Sequence, residues 1–179
     1  ILVTHISAAV GALTWMLVEW LKTGKPTVVG IATGMVAGLA TITPASGTVG
    51  PQGALLIGFL AGFVCFYATQ IIKGYFKIDD SLDVFPVHGV GGILGILMLA
   101  FVGKPDGFLG SGATGFDPSV FEQFMIQLQG VLVICIWTLV FSWIALKITS
   151  FITDLRVSDE NEHEGLDLTE HNESSYITG

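Results

Sequence analysis

The sequence predicts an all-α, polytopic membrane protein, and three observations carry the prediction. Of 179 residues, 51% are hydrophobic and only 12% are charged. That is about half the charge of an ordinary soluble domain, and mean hydropathy is +0.73. The apolar residues gather into five runs near the length that crosses a hydrocarbon core, about 20 residues at about 1.5 Å each. The runs are interrupted by clusters of Gly, Pro, Lys and Ser.

The first span runs over residues 1–21 and ends at the polar stretch 22–26. The second, 27–43, is short and closes on Thr43 and Pro44. The third covers 53–72 after a turn rich in Gly and Ser, the fourth 82–102, and the fifth 124–148 after a break over 104–123. Gly30, Gly34 and Gly38 in span two, and Gly58 and Gly62 in span three, recur every four residues. Lipid tails give helices no hydrophobic drive to associate, so such stripes predict close backbone packing. The chain opens on Ile1 inside an apolar run, without a charged leader or a cleavage pattern. It reads as a fragment with further helices before it.

Net charge is −8, but seven of the fifteen acids and none of the seven Lys and Arg residues lie in 157–179, which leaves residues 1–156 at −1. No basic cluster exists to neutralise phosphates, which excludes a nucleic-acid surface. Lys22, Lys25, Lys73, Lys77, Lys147 and Arg156 fall on one side of the alternating spans, and Lys104 alone on the other. The positive-inside rule then puts residue 1 outside the cell and the acidic tail in the cytoplasm. Cys65 and Cys135 sit in apolar runs and read as small hydrophobes.

His88 stands about a third of the way into span four, where a titratable group is expensive. Gly91, Gly92 and Gly95 follow at +3, +4 and +7, which turns the imidazole toward a packed neighbour or a cavity. Two readings stay open on the residues alone: a hydrogen-bonded structural histidine, or part of a proton or substrate path. A metal site is disfavoured, because no second His, Cys or carboxylate stands at ligand spacing within the spans, and no cofactor motif is present. Asp83 is either a helix cap beside Asp79, Asp80 and Ser81 or an acid drawing cations to the cytoplasmic mouth. His5 and Glu19 read as interfacial. Thr33, Thr41 and Thr43 read as bonding their own helices. In the tail, Asp167 and Glu170 have N-cap and N3 spacing for a short helix behind a hinge at Gly165. A merely solvated acidic tail is the other reading.

The run DDSLDVFPVHGVGG from Asp79 to Gly92 resembles the ammonium transporter family (Amt/Mep, with the Rh proteins as distant relatives). The likeness continues through Gly24-Lys25-Pro26, Ile42-Thr43-Pro44-Ala45, Leu155-Arg156-Val157-Ser158, the stretch 164–171 and Tyr176. The resemblance implies that the five spans are helices seven to eleven of an eleven-helix protomer within a homotrimer. It divides the chain into a membrane region, 1–154, and a cytoplasmic regulatory tail, 155–179. It makes His88 the second of two paired pore histidines, Thr33 and Thr43 pore-lining or pore-supporting hydroxyls, and Asp83 an acid at the inner mouth. Gly165, Asp167 and Thr169 fall in the regulatory part of the tail, Thr169 at a position phosphorylated in plant relatives.

The implied function is ammonium transport, not enzyme catalysis: NH4+ loses its proton outside and NH3 crosses a hydrophobic pore. Methylammonium serves as an analogue, a PII-type signalling protein binds from the cytoplasm, and lipid surrounds the spans. Alternatives are an ammonium-sensing receptor on the same scaffold and an intramembrane enzyme, the latter lacking a nucleophile or metal constellation. Pro86, Asp154 and Asn172 depart from the family pattern, each standing where glycine is common.

Overall fold

A computed structural model describes residues 1–103 and 119–173; Lys104 and Tyr176 therefore lie outside the described residues. Among the described residues, five stretches are long and apolar enough to cross a membrane: Leu2–Thr23, Val28–Ala45, Pro51–Tyr75, Phe85–Val102 and Val120–Ser150. All five expected spans are present, with ends that shift for local reasons.

Helix α1 (Leu2–Thr23) stops at Gly24, whose φ of 81° lets its N–H turn back to the Trp20 carbonyl. Helix α2 (Val28–Ile42) starts behind an extended Thr27, whose Oγ1 accepts from Gly30 N at 2.9 Å. It tightens into a 3-10 turn, Thr43–Ala45, at Pro44. Helix α3 (Pro51–Thr69) begins on a proline, which lacks only an N–H that would have had no helical partner. It runs on as a π-helical stretch, Gln70–Tyr75.

Span four opens as a second π-helical stretch, Phe85–Gly89, and continues as α4 (Val90–Val102). It starts three residues later than expected, because Leu82 and Asp83 belong to the linker. Helix α5 (Val120–Ser150) starts four residues earlier than expected. The cause is a capping box: Glu122 Oε2 accepts from Ser119 N and Oγ at 2.7 and 2.8 Å, while Ser119 Oγ accepts from Glu122 N at 3.3 Å.

The chain divides into two compact units, residues 1–132 and 133–179. In the first, α1 lies against α2 and α3, and the glycine stripes are the contact surfaces. A methyl on Gly58 would sit 2.6 Å from Ser7 O, one on Gly62 2.6 Å from Gly11 O, and one on Gly34 would overlap Trp15 Cβ. Ser7 Oγ donates to Gly38 O at 2.9 Å in the same buried contact. Trp15 meets Phe66 edge-on, centroids 5.3 Å apart, and both are buried with Ala37, Ala61, Cys65 and Val87. A second buried cluster gathers Ile42, Ala45, Val49, Ala54, Ile57 and Val102.

The second unit comprises the end of α5, exposed throughout 133–150, and two short helices, α6 (Asp159–Glu164) and α7 (Leu166–Thr169). Exposed Leu, Ile, Val, Phe and Trp at that density suit hydrocarbon. The tail corrects one expectation. Asp167 does not cap a helix and Glu170 does not occupy N3: Gly165, at φ 106°, precedes α7, Asp167 lies in its first turn and Glu170 follows its end. Only glycine adopts that φ freely, so the helix starts directly behind it. The side-chain cap belongs to α6, where Ser158 accepts from Asn161 N at 3.2 Å. Glu170 instead accepts from Asn161 Nδ2 at 3.0 Å.

Candidate functional site

Span four is entered through charge and strain rather than apolar packing. Asp80 supplies the cap: its two carboxylate oxygens accept from Val84 N and Phe85 N, each at 2.8 Å. Among the described residues, Asp83 caps no helix with its side chain. Its backbone is left-handed at φ 55°, and its Oδ1 lies 3.1 Å from Lys73 Nζ. Pro86 stands at the start of this helix, where its missing N–H is harmless. Val90 N donates to Phe85 O five residues back, which closes a π turn around His88.

The extra residue in that turn separates His88 from the glycines that follow it. Gly91 and Gly95 pack on Thr41, a methyl on Gly91 lying 2.9 Å from Thr41 Oγ1, whereas Gly92 faces open space. The α-helical arithmetic of +3, +4 and +7 therefore fails for Gly91 and Gly95, which are buried against Thr41 while His88 is exposed. His88 itself is exposed rather than packed against a neighbour. It lines a cavity of about 310 Å³ together with Leu82 and Val87 on its own segment and Val28, Val29, Ala32, Thr33 and Val36 of α2.

Thr33 shares the cavity with His88. Its Oγ1 donates to Val29 O at 2.8 Å, so the oxygen keeps lone pairs to accept from a solute N–H. Thr43 does not line the cavity; it is exposed, and its Oγ1 donates to Leu39 O at 2.7 Å. Asp83 does not line it either. A space walled by Val, Ala and Leu with one hydroxyl and one imidazole suits a small uncharged hydrogen-bonding solute. Among the described residues, no three His, Cys, Asp or Glu side chains converge for a metal.

Two contributors escaped the sequence reading. Glu19 is not merely interfacial: Oε1 accepts from Thr27 Oγ1 at 2.9 Å and Oε2 from Thr27 N at 3.0 Å. It thereby pins the first turn of the helix that forms the cavity's wall, and Gly30 leaves room for its carboxylate. The available signal was Thr27 ahead of an apolar run with glycine three residues on. Lys73, read only as an inside positive charge, is the partner of Asp83.

Fold and cavity together define a multi-pass α-helical membrane protein. The family model for the Ammonium Transporter Family matches residues 1–176, and the chain belongs to that family. It is 38% identical over 173 residues to an ammonium transporter of Aquifex aeolicus, a match covering 97% of this chain and 40% of the relative. It is 40% identical over 173 residues to one of Corynebacterium glutamicum, covering 96% and 37%. Among solved structures, Saccharomyces cerevisiae Mep2 superposes with a TM-score of 0.77 at 33% identity, over 89% of this chain and 37% of that one. A protein described as a sensor Amt protein gives 0.83 at 29% identity, over 94% and 40%. The chain thus spans about two fifths of the length of the relatives it matches.

Proposed function

We propose that the protein conducts ammonium across the membrane as ammonia, and that the cavity between α2 and the π turn is part of the path. The observation that carries this reading is the pairing of His88 and Thr33 on otherwise apolar walls. Closed over by the remainder of the full-length protein, such a space would cost bare NH4+ several kcal/mol, whereas NH3 is neutral. Deprotonation therefore precedes passage, and His88, a donor on one nitrogen and an acceptor on the other, relays the proton or holds the solute. Potassium has no proton to shed, which gives selectivity. Methylammonium fits as an analogue.

In this reading the five spans are helices seven to eleven of a homotrimeric protomer, lipid surrounds the apolar faces, and His88 meets a second histidine from another helix. Thr43 supports the path by closing the end of α2 instead of lining the cavity. Residues 1–154 form the membrane region and 155–179 a cytoplasmic tail, following the lysine distribution. Around Gly165, Asp167 and Thr169 that tail regulates flux, and a PII-type protein is its candidate partner.

A second reading is favoured by the likeness to the sensor Amt protein: the same scaffold binds ammonium and reports it without useful flux. Ammonium uptake separates the two. Cells lacking their own transporters and expressing the full-length protein are compared with His88→Ala at matched membrane amounts. Transport predicts robust wild-type uptake that His88→Ala abolishes or makes unselective. Specific ammonium binding without wild-type uptake would favour the sensor, and unchanged flux and selectivity in His88→Ala would remove the relay.

A further inference from the structure

The linker between the two π-helical stretches concentrates backbone strain. Lys77 at φ 54° and Asp83 at φ 55° are both left-handed, a conformation that side-chain-bearing residues hold only where their surroundings fix it. Asp83 is fixed from two directions. Its carboxylate pairs with Lys73, ten residues earlier on the π-helical end of α3. Its carbonyl accepts from Val87 N at 3.0 Å, inside the turn that carries His88. Val87, the residue before His88, is 2% exposed and packs in the Trp15 cluster.

An acid that draws cations from solution needs an open, uncompensated carboxylate. That of Asp83 is 16% exposed, its Oδ1 is buried, and Lys73 lies against it. Its charge is already answered within the chain. We propose that Lys73 and Asp83 form a clasp that fixes the π turn and so aims His88 into the cavity, making Asp83 a positioning residue instead of a cation-attracting one. The inference rests on the transport reading above.

The test measures methylammonium uptake kinetics of the full-length protein at matched membrane amounts, with His88→Ala alongside. A clasp predicts that Asp83→Asn and Lys73→Met each lower maximal uptake about ten-fold, a partly exposed pair mattering less than a fully buried one. KM should stay within about two-fold, since a positioning change acts after solute capture. Charge reversal, Lys73→Asp with Asp83→Lys, should recover most of the loss, and Lys73→Arg should transport nearly as wild type. Asp83→Asn that raises KM with maximal uptake intact would overturn the clasp, as would Lys73→Met equal to Lys73→Arg. Should the reversed pair fail to reach the membrane, the Lys73→Met and Lys73→Arg comparison still decides. Wild type without uptake would sink the transport reading itself, whereas wild-type uptake lost in His88→Ala but indifferent to Lys73 would sink the clasp alone.

Discussion

Within residues 1–132, the α1–α2–α3 contact and the segment 70–89 solve the same problem in opposite ways. The first is regular helix on regular helix, brought within backbone distance by Gly11, Gly34, Gly38, Gly58 and Gly62. The second is two π-helical stretches and a strained linker, held by Asp80 on two N–H groups and by Lys73 on Asp83. Apolar small-residue packing leaves no room for solutes and presents no chemistry. The irregular segment gives up packing regularity, and it is the one that carries His88 to an open cavity.

Breaking the first region should have the largest effect. Gly62→Leu drives a side chain into the Gly11 backbone, where nothing flexible can yield. It should cost about 3 kcal/mol, read as loss of monodisperse protein or a collapsed Tm in detergent. Gly92 sharpens the contrast, because among the described residues nothing lies within 4 Å of its added methyl. Gly92→Ala should hold or raise Tm, in line with the roughly 1 kcal/mol advantage of alanine in a helix. A fall in Tm as large as that of Gly62→Leu would erase the distinction between the two kinds of contact.

Asp80→Ala probes the second region at smaller amplitude. Removing the cap should cost about 1 kcal/mol and speed amide exchange at Val84 and Phe85 while leaving α1–α3 protected. Unchanged exchange at those two amides would mean that the carboxylate does not hold the turn.

The regular region was legible because its determinants are local and periodic. Apolar runs gave five spans, and glycines four apart gave their contact faces. The irregular region was legible only in outline. A π turn leaves no mark in hydrophobic periodicity, so the glycines behind His88 aimed it at a packed neighbour or a cavity without deciding between them. The Lys73–Asp83 pair depends on a left-handed residue between two helices, and Glu19 with Thr27 on how a loop closes. Neither follows from spacing along one helix. Ser119 with Glu122, and Ser158 ahead of three acids, were capping signals present in the sequence. Asp167 with Glu170 had the same spacing and is not a cap, because Gly165 starts the helix first.

Passage of solute through the cavity bounded by His88 and α2 can be blocked from either wall. Its most direct test approaches from the wall opposite the histidine, where Val36 lines the cavity and is 38% exposed. Val36→Trp fills much of that space without changing any residue of His88's own segment. The measurement is methylammonium flux into vesicles holding the full-length protein, wild type against Val36→Trp, at equal protein and equal Tm. Flux should fall to the level of empty vesicles, and flux equal to wild type with the indole in place would rule this cavity out as the path.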